Sequence, residues 1–126
     1  GENVVIRNGT TREFRRYGVL AEGVLARVEQ IHAIGNGGPS GDFDLGWGIE
    51  TGEGGAVVRC TASSNLSIGI SVRRGSSVID CVAYQNANVG SIARDSLGAH
   101  CAAFDNPIAN IDIGTTASTL VGNHAP

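Results

Sequence analysis

The feature that most constrains this chain is a recurring unit of about twenty residues that runs nearly from end to end. Its clearest copy is VVRCTASSNLSIGISVRRG, spanning Val57–Gly75, with Cys60 as a reference point, Asn65 five residues later and Gly69 nine residues later. The same offsets return at Cys81, Asn86 and Gly90, and at Cys101, Asn106 and Asn110. Upstream they fit Ile31 with Asn36, and Gly9 with Phe14 and Gly18. Successive reference points lie 21 and then 20 residues apart in the most regular part, from Cys60 to Cys81 to Cys101. A repeat of this length built from short apolar runs and turns specifies a solenoid, in which each unit packs on its neighbours.

Within each unit the apolar residues alternate with period two, in runs too short for helices. Ile70 and Val72 are set against Ser71 and Arg73, and Ile111 and Ile113 flank Asp112. Two residues past each reference point stands an alanine (Ala33, Ala62, Ala83, Ala103), a small residue suited to a narrow interior. One unit cannot bury its own apolar face, but stacking strands about 4.8 Å apart lets each hydrogen-bond to its copy. An inward-facing Asn at a corner would bond to backbone and to the next Asn, forming a ladder. The recurring Gly is read as the residue that supplies unusual backbone angles at a corner. Phe14 fills the Asn slot of the first unit, where its ring is expected to close the column.

The units CTASSNLSIGISV and CVAYQNANVGSIA resemble the repeats of the right-handed parallel β-helix, or pectate lyase-like, superfamily, which includes pectate lyases, polysaccharide epimerases and phage tailspikes. The resemblance covers nearly all of the chain. It implies an all-β, single-stranded right-handed parallel β-helix of about five rungs, forming one domain over residues 1–126. It implies an extracellular or periplasmic setting and leaves the activity open, because one fold hosts many activities. Handedness rests on the resemblance alone. Five rungs would stand roughly 24 Å tall, with unpaired edges and apolar side chains at the ends. Self-association as a homo-oligomer is therefore expected, unless the sequence is a slice of a longer protein.

One unit departs from the rest. After Asn36 the matching Gly48 comes twelve residues on rather than four, and the surplus falls in Gly37–Trp47, GGPSGDFDLGW, whose Gly, Pro and Ser mark a corner loop. Register places this insertion beside Phe14–Tyr17, with Trp47 and Tyr17 in one column. Asp42 and Asp44 lie on the loop, and Arg15 and Arg16 on the adjoining corner. Aromatic rings stack on sugars, carboxylates accept hydroxyl hydrogen bonds or act as acid and base, and arginines pair with uronate carboxylates. Arg15, Arg16, Tyr17, Asp42, Asp44 and Trp47 are therefore the candidate polysaccharide-binding residues. The competing reading is that the aromatics shield a corner and the charges are solvated.

A second candidate is the column preceding each reference point, Asn8, Gln30, Arg59, Asp80 and His100. Arg59, Asp80 and His100 on successive units suit a proton-transfer set, or more simply a surface charge ladder. No three acidic residues recur at repeat spacing to make a calcium site, and no two carboxylates share a column on adjacent units. The three cysteines fall at one repeat position, which reads as stacked buried apolar residues rather than a disulfide or metal framework. No cofactor or metal is expected. A net charge of −3 gives no reason to expect nucleic acid, and no apolar run approaches the roughly 20 residues that span a bilayer. The function classes left are a polysaccharide-binding module, a structural module that assembles through its ends or loop, and a small carbohydrate-active lyase, epimerase or hydrolase.

Overall fold

The computed structural model of the chain describes residues 3–37, 46–93, 96–112 and 119–121. These residues form strands and turns with no helix. In chain order the strands are β1 (Val5–Arg12), β2 (Tyr17–Ala21), β3 (Arg27–Ile34), β4 (Trp47–Thr51), β5 (Ala56–Val58), β6 (Thr61–Ser63), β7 (Ile68–Val72), β8 (Ser77–Ile79), β9 (Val82–Tyr84), β10 (Val89–Ala93), β11 (Leu97–Ala99), β12 (Ala102–Phe104), β13 (Ala109–Asp112) and β14 (Thr119–Val121).

Each strand pairs in parallel with its copy one unit away and never with its sequence neighbour. One sheet runs β12-β9-β6-β3-β5-β8-β11-β14 with β1 also on β3; the other runs β13-β10-β7-β4-β2. The long strand β3 serves two branches, since its first half pairs with β5 and its second half with β6. The arrangement is all-β with parallel sheets, compatible with a β-solenoid. Register follows the sequence repeat: Gly9 opposes Ile31, Ala33 opposes Ala62, and Ala62 opposes Ala83.

Period-two alternation places one set of side chains inside. Val28, Val57 and Val78 form one buried column and Ala33, Ala62, Ala83 and Ala103 another. Ile49 and Ile70 face them from the second sheet, each fully buried. The interior also holds polar columns. Ser76 Oγ donates to Gly52 O at 3.1 Å and accepts from Gly55 N–H at 3.0 Å.

The largest polar column is asparagine. Asn36, Asn65, Asn86 and Asn106 are buried. Asn65 Oδ1 accepts from both the backbone N–H (3.1 Å) and the side-chain Nδ2 (2.9 Å) of Asn36. Asn65 addresses Asn86 Oδ1 in the same way, at 3.2 and 2.9 Å. Asn86 in turn addresses Asn106 Oδ1, at 2.9 and 3.1 Å. The second amide hydrogen of Asn65, Asn86 and Asn106 reaches Ala33 O, Ala62 O and Ala83 O respectively, each at 3.1 Å. Burying an amide without partners is costly, and here nearly every donor and acceptor is used. Phe14 does not close this column with its ring, which is 54% exposed. Its backbone N–H does so instead, donating to Asn36 Oδ1 at 3.1 Å.

The recurring glycines play a different part from the one expected. Gly18, Gly48 and Gly69 have no left-handed backbone; what they lack is room. A Cβ on Gly69 would sit 2.6 Å from Asn86 Nδ2 and 2.5 Å from Gly90 O, and one on Gly48 would sit 2.7 Å from Asn65 Nδ2. Glycine recurs because the asparagine amide of the next unit occupies the space of a side chain. Left-handed corners are made mostly by other residues. Asn8, Gln30, Arg59, Asp80 and His100 have φ between 51° and 59°, and Glu13, Ser64, Gln85 and Asp105 between 54° and 59°. A non-glycine residue costs roughly 1–2 kcal/mol in this region. It gains a ladder bond there: Arg59 N–H reaches Ile79 O and Asp80 N–H reaches Ala99 O, both at 3.0 Å.

Substitution should separate the two roles. Asn86→Ala strands two donors of Asn65, removes the Nδ2 bond to Ala62 O and leaves Asn106 Oδ1 with the backbone N–H alone, and should cost about 1–3 kcal/mol in chemical denaturation. Gly69→Ala should cost about 1–3 kcal/mol by overpacking. A loss below roughly 0.5 kcal/mol, as at an ordinary surface position, would contradict the buried ladder.

Candidate functional site

The corner between β1 and β2 carries three of the six candidate residues, Arg15, Arg16 and Tyr17. Phe14, Arg15, Arg16 and Tyr17 line an open pocket of about 540 Å³. Arg15 and Arg16 are exposed and Tyr17 is half-buried. Trp47 begins β4 directly opposite Tyr17 in the parallel register. Their rings meet edge to face, with centroids 5.7 Å apart and planes at 69°, a favoured geometry for an aromatic pair. The indole Nε1 of Trp47 is buried and has no hydrogen-bond partner among the described residues.

The insertion leaves and rejoins the sheets at a narrow stem. Gly37 N–H donates to Phe14 O and Gly46 N–H to Arg16 O, both at 2.7 Å, while Trp47 N–H shares Arg16 O at 2.8 Å. Gly37 and Gly46 lie at φ 124° and 93°, where only glycine is at ease. A Cβ on Gly46 would fall 2.5 Å from Leu66 Cβ and 2.9 Å from Gly37 Cα. Residues 38–45, including Asp42 and Asp44, lie outside the described residues.

Three charged residues that sequence reasoning passed over lie toward the far ends of the same strands and of β7. Glu50 alternates outward on β4, opposite Leu20 and Ser71, yet its side chain is only 8% exposed. Its Oε1 lies 3.3 Å from Arg73 Nη2, and the Oε1 of Glu22, on the preceding unit, lies 3.3 Å from the same nitrogen. Column-by-column reading missed this pair because Glu22 sits two positions past the column of Glu50; the signal was the diagonal Glu50–Arg73 spacing on neighbouring strands. Burial pushes the Glu50 carboxyl above its ordinary value, opposed by Arg73 and reinforced by Glu22. Tyr17 is also raised, first by burial and then by Glu50 and Glu22, against Arg16 and Arg73. Glu50 is thus a carboxyl that holds its proton to higher pH than a solvated one, a property suited to proton donation.

The other column resolves into its bland form. Asp80 Oδ1 and His100 Nδ1 are 3.5 Å apart with side chains 51% and 66% exposed, a solvated contact of small energetic weight. His32 is exposed, and His124 lies outside the described residues. No group of three or more His, Cys, Asp or Glu side chains converges as a metal site among the described residues. Nor is any helix among them long and apolar enough to cross a membrane. Comparison of the chain with protein-family models, with curated proteins and with solved structures finds no match.

The raised Glu50 has a thermodynamic signature. Its folded form binds a proton more tightly than its unfolded form, so the associated stability is present at low pH and declines as pH rises from the ordinary carboxylate range through the folded value. Glu50→Gln removes this titration. Denaturation of both proteins across a pH series should show the variant gaining on the wild type as pH rises through that window. A pH-independent difference would place Glu50 in ordinary solvation.

Proposed function

We propose that the chain is a short right-handed parallel β-helix of about five rungs, of the pectate lyase-like kind, and that its inserted corner binds polysaccharide. The observation that carries the reading is the Tyr17–Trp47 pair, held in one register column at an open pocket lined by Arg15 and Arg16. Rigid aromatic edges and faces give a sugar ring apolar contact at little entropic cost. Two exposed guanidinium groups favour anionic glycans, whose carboxylates accept paired hydrogen bonds. The site stands on strand ends and a pinned stem, which fixes its geometry better than a free loop would. The test is binding of the intact protein to neutral and anionic polysaccharides. Trp47→Ala should weaken binding at least tenfold, and replacing Arg15 and Arg16 together by Ala should abolish the preference for anionic chains and its salt dependence. Absence of binding by the folded wild type would dispose of this reading.

A second reading, an assembly module, is favoured by one observation. Among the described residues β1 and β2 each pair on one side only. Val4, Val5, Phe14, Leu20, Val24 and Leu25, all near these strands, are each at least 40% exposed. Unpaired edges with apolar side chains template association. Sedimentation analysis should then show a homo-oligomer, and Val5→Lys should shift it to monomer. A wild type that stays monomeric at high micromolar concentration would exclude assembly through this edge.

A further inference from the structure

All the strand pairings among the described residues are parallel, so the two ends of the stack differ. At one end β1 and β2 have a free edge; at the other β12, β13 and β14 stand last in their sheets. Two ends of the same kind can meet only with strands antiparallel or with inner and outer faces exchanged. One kind set on the other continues both sheets in parallel, with the apolar columns in line. The ends also differ in charge. Arg7, Arg12, Arg15 and Arg16 are exposed at the β1–β2 end, where Glu13 is the one acidic residue within residues 3–17. Residues 97–126 hold Asp105 and Asp112 and no Arg or Lys. Asp105 is exposed just past β12, and Asp112 is the last residue of β13. Both ends present apolar side chains, Val5 and Phe14 at the first (56% and 54% exposed) and Ile108 at the second (70%).

We propose that the β1–β2 end is a docking surface for the β12–β14 end of a second copy of this chain, so that copies add head to tail. This rests on the assembly reading and gives it a partner surface and a symmetry. Opposite net charges draw the unlike ends together and hold like ends apart. On contact the unpaired edges gain backbone hydrogen bonds, and the exposed apolar side chains leave water. The contact joins two different surfaces along the stacking axis and leaves one of each free at the extremes. Growth is therefore open-ended, where a contact between like ends would stop at a pair.

Sedimentation of the wild type and two variants tests this. The wild type should give a series of species that lengthens with protein concentration and shortens with added salt. Val5→Lys blocks the first end and Ile108→Lys the second, and both replace exposed side chains, so both should fold. Each variant alone should be monomeric. An equimolar mixture should form a dimer and nothing larger, through the one intact end that each variant keeps. Self-association of either variant alone, a wild-type dimer that grows no further, or a mixture that stays monomeric would overturn head-to-tail addition while leaving assembly itself standing. Assembly indifferent to salt would overturn the charge-matched contact. A wild type that stays monomeric would overturn both this proposal and the assembly reading.

Discussion

Everything in this molecule is keyed to the contact between one asparagine amide and the next. From Asn65 onward each Oδ1 takes two hydrogens from the preceding Asn, one from its backbone and one from its side chain. A slip of one residue in any strand would break both and turn the apolar columns outward. The amide also dictates its surroundings. It fills the space over Gly48 and Gly69, so Asn and Gly are one device spread over two units. Alanine two residues past each reference point provides the carbonyl that completes the amide's bonding. Three positions in the repeat are thereby explained by one interaction.

Much of this could be read from the residues alone, because a repeat states its register many times over. Opposition of Gly9 to Ile31, of Ala33 to Ala62 and of Tyr17 to Trp47 follows from counting. What counting could not give was the reason for a recurrence. A glycine required for space and a glycine required for backbone angle look alike in a sequence. So do a surface column and a left-handed corner, which is why Arg59, Asp80 and His100 read as a possible reactive row when their shared property is a φ near 51°. Glu50 was hidden for another reason. Its outward position was legible, but its burial depends on the side chains of Arg73 and neighbouring strands folding over it, a matter of three-dimensional packing.

The candidate site combines legible and illegible parts in the same way. Register alone brought Tyr17 beside Trp47 and placed Arg15 and Arg16 at the same corner. The electrostatic link from that corner to Glu22, Glu50 and Arg73 arises from side chains reaching across strands. The Tyr17 hydroxyl feels it, its pKa raised by burial first and by Glu50 and Glu22 after that.

The stem formed by Gly37 and Gly46 has a meaning for how such a protein changes over time. Its backbone bonds to Phe14 and Arg16 are made before the inserted residues begin and after they end. Two glycines with little tolerance for side chains hold the gap shut. The stem itself thus fixes the registration of the strands at this corner. The corner is a socket, in which segments of different length and chemistry can be exchanged while the scaffold stays as it is.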